Sequence, residues 1–445
     1  MGWFTIKEKL FEIGDRVRKG FLSMGADQAI VIPSHIERLM VRFSNNKTTV
    51  VQNWSLMGID ALAVFGKKKV ITRMEDLSEG GIERGLERAV KCAPMVSDSE
   101  TITDVEATKF PDRRSDQAID PERINDCISN CIDAAMKEGG ERSAGIFNAE
   151  ARKVAILTSS GGEGYDERSS FELNVRSFAG EGSGQGLTCA TEMRALDADG
   201  AGRRAGMIAR MSRERVQWSE GSYEVLLGPI IFANLIERVG DASSAFSVEA
   251  GVSFLSGKMG EKVAPEMVTI EDDGSDPNGL NSRTFDDECV PVRKTAIVAE
   301  GRMSAYLHNK STAKRFGTIS TGNAGWVAPS PWNLKVSAGD ISMDEMISEM
   351  RRGVYVVSNW YTRFQNYATG DFSTICRDGT FLVEGGEVKG ALRGVRISDN
   401  MLRILGSIRQ VSSDRNWVRW WEVRTPALVP AVLASGVMLT KAQGS

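Results

Sequence analysis

The back half of the chain constrains the fold most strongly. Over residues 223–438, short runs of alternating apolar and polar side chains are separated by glycines and by turn pairs such as Asp-Gly and Glu-Gly. Residues 288–298 and 381–388 are two such runs. Strands joined by tight turns have this spacing. We therefore predict a large, mostly antiparallel, β-rich C-terminal domain over residues 222–445.

The front of the chain mixes helical and strand-like patterns. Apolar side chains at three- and four-residue spacing predict a first helix over residues 6–24. A polar segment with two prolines, residues 93–119, is predicted to be a linker. Together these features predict an N-terminal α+β subdomain over residues 1–100. Its further predicted elements are strands at 28–32, 37–43, 48–51 and 57–65 and a helix at 80–92.

A second α+β subdomain is predicted over residues 115–218. Asp120 is a good N-cap and Pro121 a good first helical residue, so a helix is expected to begin there. The glycine-rich stretch 180–186 lacks the Gly-Lys-Ser/Thr ending of a phosphate-binding loop and lies between strand-like runs, which predicts a hairpin. The remaining predicted elements are strands at 143–147, 153–158 and 171–178 and a helix at 201–211. The predicted fold class is α+β.

Charge and hydropathy indicate which classes of partner this chain is expected to lack. The chain has 55 Lys and Arg against 59 Asp and Glu, a net charge of −4, whereas a nucleic-acid binder needs a basic face. The uncharged stretch 425–440 contains two prolines and is too short to span a bilayer. The first residues read as an amphipathic helix without the layout of a secretory leader. We expect no direct nucleic-acid contact, no membrane insertion and a cytoplasmic location.

Few residues suit a transition metal. The two histidines, His35 and His308, are 273 positions apart. Cys127 and Cys131 have i, i+4 spacing, but a structural zinc site needs about four ligands. We predict that both cysteines are small core residues of their helix, and that all six cysteines are free thiols.

Two acidic clusters and one aromatic cluster invite functional readings. The clusters 271–273 and 286–288 could perform acid–base chemistry, but their Gly, Pro and Asn neighbours favour solvated turns. Trp417, Trp420 and Trp421 alternate with arginines, a pattern that could stack on single-stranded nucleic acid. The acidic net charge instead favours an apolar face buried in the core or at a subunit contact.

Six segments of the back half resemble one known family. The chain is similar to the TldD/PmbA family, also called modulators of DNA gyrase, which are peptide-processing proteins. The resemblance extends more weakly into the front half. The segments, in order, are SSAFSVEAGVSFLSGKMGEKVAPEMVTIEDD from Ser243, FDDECVPVRKTAIVAEGRMSAYLHN from Phe285, STGNAG from Ser320, GVYVVSNW from Gly353, TGDFS from Thr369 and FLVEGGEVKGALRGVRISDNML from Phe381.

The resemblance implies a metal site that this chain has lost. Family members of the TldD type resemble zinc metalloproteases with a His-Glu-x-x-x-His helix and a C-terminal cysteine. Alignment places the two histidines at Ile236 and Asp241, keeps the glutamate as Glu237 and places the cysteine near Glu422. A hydrocarbon side chain and carboxylates do not make a zinc site of catalytic strength. The resemblance is therefore closer to the TldE/PmbA type of subunit, with no metal and no catalytic residue of its own.

The family also implies partners. A TldE-type chain pairs with a TldD-type chain that supplies zinc, and unfolded peptide enters a chamber between them. An alternative reading is a homodimeric, chaperone-like peptide-binding protein; a direct role on DNA is disfavoured by the charge. Short polar residues and glycines are candidates for the chamber lining, although the same loops also suit tight strand connections. These candidates are Thr321, Gly322, Asn323, Thr369, Gly370 and Asp371.

Overall fold

The computed structural model describes residues 5–99, 101–115 and 118–442. Its helices and strands confirm the predicted α+β class, with long helices packed on a sheet in the first half and a larger sheet in a strand-rich second half. The α-helices are α1 (Ile6–Ser23), α2 (Glu79–Cys92), α3 (Pro121–Lys137), α4 (Ala198–Met211), α5 (Pro229–Ala242), α6 (Ala245–Glu249), α7 (Lys310–Phe316), α8 (Met343–Glu349) and α9 (Met401–Gly406).

The first half is built on one antiparallel sheet. Residues from both predicted N-terminal subdomains contribute to it, because β1 pairs with β4 along most of its length. Strand order across the sheet is β3-β2-β1-β4-β5-β6. The strands are β1 (Gln28–Ser44), β2 (Lys47–Phe65), β3 (Lys68–Met74), β4 (Arg142–Thr158), β5 (Glu163–Ala179) and β6 (Gly182–Ala190).

The strands of this sheet are longer than predicted. The four predicted runs between residues 28 and 65 are two strands, β1 and β2, which pair from Gln28 with Val64 to Ser44 with Lys47. The polar residues between the predicted runs differ in burial: Ser34 and His35 of β1 are buried, whereas residues 52–56 of β2 are exposed. Asn45 and Asn46 form the turn with φ angles of 49° and 62°. Asparagine tolerates this left-handed conformation, and two-residue hairpin turns need it.

Helices cover one face of the sheet. Helix α1 begins with a capping box, in which the Thr5 side chain accepts from the backbone of Glu8 and the Glu8 side chain accepts from Thr5. Helix α3 begins at Pro121 with Asp120 as its N-cap, as predicted. Every second side chain of β1 lies on the face that these helices cover. At one end of the strand Val31 packs against α1 and α2, and at the other end Val41 packs against α3 and α4. The opposite face is left for the second half of the chain.

The glycine-rich stretch forms the predicted hairpin between β5 and β6 and does more. Gly182, Gly184 and Gly186 face α4, and a Cβ at any of them would collide with a backbone carbonyl of that helix. Strand residues two apart thereby match helix residues four apart, Ala201, Ala205 and Ala209. The absent side chains let a helix lie directly on a strand.

We expect Gly186→Ala to lower the free energy of unfolding by about 2–3 kcal/mol, because the added methyl group must displace the α4 backbone. Urea unfolding measures the change. Gly58→Ala is the matched control, since a Cβ there would lie 3.4 Å from the carbonyl oxygen of Met74, an ordinary contact. Equal stability of the two variants would show that α4 does not rest on this strand.

The predicted linker runs along the sheet. Its backbone bonds to the part of β5 that β6 does not cover: the N–H of Phe110 donates to the carbonyl of Glu163, and that of Arg113 to Tyr165. Residues 100, 116 and 117 of this segment lie outside the described part of the chain. The segment therefore covers an open strand edge, which otherwise invites pairing with another chain.

The second half is a larger sheet that partly closes on itself. β7 pairs with both β12 and β17, so β17, β15, β13, β12 and β7 form a ring. Its strands are β7 (Gly221–Leu227), β8 (Ile270–Asp273), β9 (Lys294–Ala299), β10 (Arg302–Met303), β11 (Leu334–Val336), β12 (Arg352–Asn366), β13 (Asp371–Glu384), β14 (Glu387–Ala391), β15 (Val395–Asn400), β16 (Ile408–Trp420) and β17 (Val423–Lys441).

Helix α5 lies in the core of this half. It follows β7 directly, with Gly228 as N-cap and Pro229 as first residue. It packs on β12, β16 and β17, and most of its side chains are buried on all sides. Its apolar residues cover most of its circumference, and such a helix needs a position inside the core. Within the described residues, no helix combines the length and apolar character needed to cross a membrane.

Candidate functional site

Helix α5 carries the residues that the sequence alignment assigns to the metal motif. Ile236 is fully buried and belongs to the main hydrophobic core. Glu237 is 4 % exposed, and its Oε1 accepts hydrogen bonds from the backbone N–H of Arg424 at 2.6 Å and of Thr425 at 2.8 Å. Its Oε2 pairs with Arg238 at 2.8 Å. The glutamate thus anchors the start of β17 to the helix.

The electrostatics of Glu237 are those of a structural carboxylate. Burial raises its pKa, and the Arg238 guanidinium and the two backbone donors oppose the rise. Asp241 lies one turn further on, is exposed and binds the same Arg238 at 3.0 Å. Each carboxylate already has a cationic partner, and Oε1 of Glu237 is directed at the protein backbone.

A buried polar network lies beside these residues. Asn359 Nδ2 donates to Asn234 Oδ1 at 2.9 Å, to Thr362 Oγ1 at 3.0 Å and to Thr374 Oγ1 at 2.8 Å. Asn234 in turn donates through Nδ2 to the carbonyl of Glu422 at 2.7 Å. The network joins α5 to β12, to β13 and to the turn before β17. Buried amides and hydroxyls bonded in this way hold elements in one register.

Glu422, near which the alignment places the metal cysteine, has a structural role in this chain. Its buried carboxylate accepts the backbone N–H of Tyr361 at 3.0 Å. Tyr361 sits in a bulge of β12 with a φ of 58°, a conformation that bulky residues adopt only when neighbours enforce it. Glu237 and Glu422 therefore both act at the turn from β16 to β17: Glu237 binds backbone N–H groups just after it, and Glu422, which lies in the turn, binds the backbone of β12.

The donor set at these positions does not fit zinc. Ile236 offers no donor atom, and the two glutamates accept hydrogen bonds from the backbone. Across residues 5–99, 101–115 and 118–442 no group of three or more His, Cys, Asp and Glu side chains is arranged to hold a metal ion. The predicted core position of Cys131 is confirmed, since it is fully buried, whereas Cys127 is half-buried.

The prediction that the two acidic clusters are solvated turns is wrong for Asp272 and Asp286. Asp272 is fully buried and accepts the backbone N–H groups of Trp332 and Asn333 and the side-chain amide of Asn323, at 2.6–2.8 Å. Asp286 is also fully buried and accepts the N–H of Ala324 at 2.9 Å. The two carboxylates hold the loop around residues 320–325 from two sides, and burial is possible because backbone donors replace water.

Asp286 should make stability depend on pH in a specific direction. Burial raises its pKa to about 8, with Glu288 adding to the rise and the N–H of Ala324 opposing it. The folded chain then holds the proton more tightly than the unfolded chain, whose pKa is about 4. The contribution of Asp286 to the free energy of unfolding therefore falls as pH rises from about 4 to about 8.

Urea unfolding of wild type and Asp286→Asn at several pH values tests this expectation, because asparagine does not titrate. The stability difference should shift against the wild type as pH rises from about 5 to about 8. A difference that stays constant over that range would contradict the expectation and would mean that the donors keep Asp286 ionised throughout.

The predicted chamber loops lie in two separate places. Thr321 Oγ1 donates to the carbonyl of His308, and Gly322 and Asn323 are buried. Thr369 and Asp371 are exposed at the β12–β13 hairpin, where Thr369 Oγ1 donates to Asp371 at 2.5 Å. No hydrogen bond or ion pair connects the two loops in the part of the chain that the structure describes. Their role as chamber lining stays a prediction.

A cavity of about 810 Å³ lies between the two halves of the chain. One wall is the helix-free face of the first sheet, where Glu172, Asn174 and Arg176 of β5 point inward. The other wall is the turn from β16 to β17 with Trp420 and Trp421. This turn is the one that Glu237 and Glu422 hold.

Sequence reasoning missed the β5 wall of this cavity. The signal is the alternation Phe-Glu-Leu-Asn-Val-Arg over residues 171–176: the apolar members are buried against helices, and of the polar members Glu172 and Asn174 are buried and Arg176 is half-buried. A strand that buries its polar face must meet a second polar surface. The tryptophan prediction is partly confirmed, since Trp420 is buried, whereas Trp421 is 54 % exposed.

Comparison with known proteins defines the class. Residues 220–441 match the PmbA/TldA metallopeptidase C-terminal domain, and residues 114–213 match the central domain of the same proteins. Together they cover more than half of the chain. The chain belongs to the PmbA/TldD metallopeptidase family.

Individual relatives agree with this assignment. A metalloprotease of Methanothermobacter thermautotrophicus is 26 % identical over 422 residues, which cover 91 % of this chain and 90 % of that protein. Metalloprotease PmbA of Escherichia coli O157:H7 is 29 % identical over 42 % of this chain and 41 % of its own length. The crystal structure of TldE from Thermococcus kodakarensis has a TM-score of 0.85 at 19 % identity and covers 96 % of this chain and 100 % of its own, a likeness of fold.

Proposed function

We propose that this chain is the non-catalytic, TldE-type subunit of a two-chain metalloprotease that degrades or processes unfolded peptides. A TldD-type partner supplies the zinc, and this chain contributes part of the peptide chamber. The proposed complex acts in the cytoplasm.

One observation carries the proposal. At the position of the catalytic glutamate, Glu237 Oε1 accepts two backbone hydrogen bonds, and its neighbour Ile236 is a core residue where a histidine ligand would be. Without a bound cation, no water is brought to a pKa near 7. The likeness in fold to TldE of Thermococcus kodakarensis further supports this assignment.

The test is reconstitution. The chain is purified alone and together with an HExxxH-bearing family member from the same genome, and both samples are assayed for cleavage of an unstructured, internally quenched peptide with added zinc. We expect cleavage only when both chains are present, and we expect the two to co-elute.

Two control variants make the assay specific. Changing the first histidine of the partner's motif to alanine should abolish cleavage, whereas Glu237→Gln in this chain should leave the rate per folded complex unchanged. Chelator-sensitive cleavage by the isolated chain would contradict the proposal. Peptide binding by a stable homodimer, with no activity on mixing, would favour the homodimeric chaperone-like alternative.

A further inference from the structure

The cavity between the two halves of the chain has an excess of positive charge. Its lining includes four arginines, Arg42, Arg176, Arg419 and Arg424, but a single carboxylate, Glu172. Arg419 pairs with Glu172 at 3.2 Å, and Arg176 pairs with Asp378, outside the lining, at 2.6 Å. The two remaining arginines are exposed and make no side-chain hydrogen bond or ion pair with any residue that the structure describes. They are available to an anion.

The two available guanidinium groups come from opposite walls. Arg42 is on β1 of the first sheet, opposite Ile146 in the strand register, and Ile146 is opposite Asn174. Arg424 is at the start of β17, where the buried Glu237 fixes its backbone N–H. A carboxylate entering between the walls can therefore meet planar donors that suit its geometry.

Aromatic rings line the same space. Trp421 is 54 % exposed, and its ring meets those of Trp360 and Trp420 edge to face, with centroids 5.7 and 5.3 Å apart. These contacts hold a large apolar surface open at the cavity. Indole faces pack on aliphatic side chains and on peptide planes at little cost in conformational entropy.

Several polar atoms of the lining residues are unsatisfied. Within the described residues, Nε1 of Trp360, Nε1 of Trp420 and Oε1 of Gln185 are buried without a hydrogen-bond partner. Such groups are rare in folded proteins, because leaving a buried polar atom without a partner is unfavourable. The lining therefore contains two N–H donors and one carbonyl acceptor that make no hydrogen bond within the described residues.

We propose that this cavity binds a carboxylate-bearing segment of an extended peptide, with the carboxylate between Arg42 and Arg424 and a neighbouring side chain on Trp421. The volume of about 810 Å³ accommodates a short segment of chain. The identification of the ligand as a peptide rests on the proposed function; the charge and the aromatic surface rest on the cavity alone. The carboxylate belongs either to an Asp or Glu side chain or to the C-terminus.

Fluorescence anisotropy of labelled peptides with the isolated full chain tests the proposal. The probes are a short unstructured peptide with one Glu and a free C-terminus, its Glu→Gln form, its C-terminal amide and a form with Lys in place of Glu. We expect the loss of the recognised carboxylate to weaken binding about tenfold, and this loss identifies its source.

Arginine variants of this chain, tested with the same peptides, show whether Arg42 and Arg424 bind the carboxylate. Arg42→Gln and Arg424→Gln should each weaken binding of the acidic peptide about tenfold. Arg409→Gln should not, because Arg409 is an exposed arginine of β16 outside the cavity. Arg424→Glu should reverse the preference and favour the Lys peptide, which loss of folding cannot do.

Equal binding of all four peptides, or wild-type binding by both cavity variants, would overturn the proposal. Tighter binding of a single-stranded oligonucleotide than of any peptide would overturn it as well. Failure of the reconstituted protease to cleave would refute the proposed function but would leave the binding result of the isolated chain intact.

Discussion

Glu237→Ala is expected to lower the free energy of unfolding by about 3–5 kcal/mol, because it leaves a partly buried arginine and two backbone donors without their partner. The donors are the N–H groups of Arg424 and Thr425, which begin β17, and the arginine is Arg238. Chemical unfolding followed by tryptophan fluorescence measures the effect. A catalytic glutamate would instead be expected to leave stability unchanged or raised when removed.

Two controls separate the anchor from the surface ion pair. Glu237→Gln keeps a carbonyl oxygen for the backbone donors and should destabilise less than alanine. Asp241→Ala removes the exposed partner of the same Arg238 and should change stability by about 1 kcal/mol or less. If Glu237→Ala behaves like Asp241→Ala, the carboxylate does not anchor β17.

Asp272→Ala is expected to have an effect of the same size, about 3–5 kcal/mol, since three buried donors would lose one acceptor. These donors lie on Trp332, Asn333 and Asn323. Because Asn323 belongs to the loop at 320–325, hydrogen exchange of that loop should accelerate in the variant even below the unfolding transition.

The neighbouring Glu271 provides the matched control. It is partly exposed and pairs with Lys294 at 2.8 Å across the strands β8 and β9. Glu271→Ala should change stability by about 1 kcal/mol or less. Equal effects of the two substitutions would show that the three hydrogen bonds to Asp272 do not stabilise the fold.

Local chemistry explains which parts of the fold were predictable. The start of α3 at Pro121 follows from an N-cap and a proline, both readable within a few residues. The hairpin at 180–186 follows from its glycines, but their contact with α4 does not, because α4 lies about twenty residues further along the chain. Strand lengths were underestimated because polar residues interrupt the apolar pattern within both strands, although the chain stays extended through the buried Ser34 and His35 of β1 and through the exposed residues 52–56 of β2.

The site was less predictable, for a physical reason. Whether a carboxylate is solvated or buried depends on donors that are distant in sequence: Asp272 is satisfied by residues about sixty positions away, and Glu237 by residues nearly two hundred away. The alignment located α5 and the turn near Glu422 without showing that they touch. The cavity requires two walls from different halves of the chain, and sequence pattern reports only one strand at a time.

The metal content of the isolated chain tests the central claim most directly. The purified chain is dialysed against zinc, passed through a desalting column and measured by mass spectrometry of the eluted metal, with a TldD-type family member as the positive control. We predict far less than one zinc per chain here and a stoichiometric amount in the control. One tightly held zinc per chain, lost in Glu237→Ala, would contradict the account.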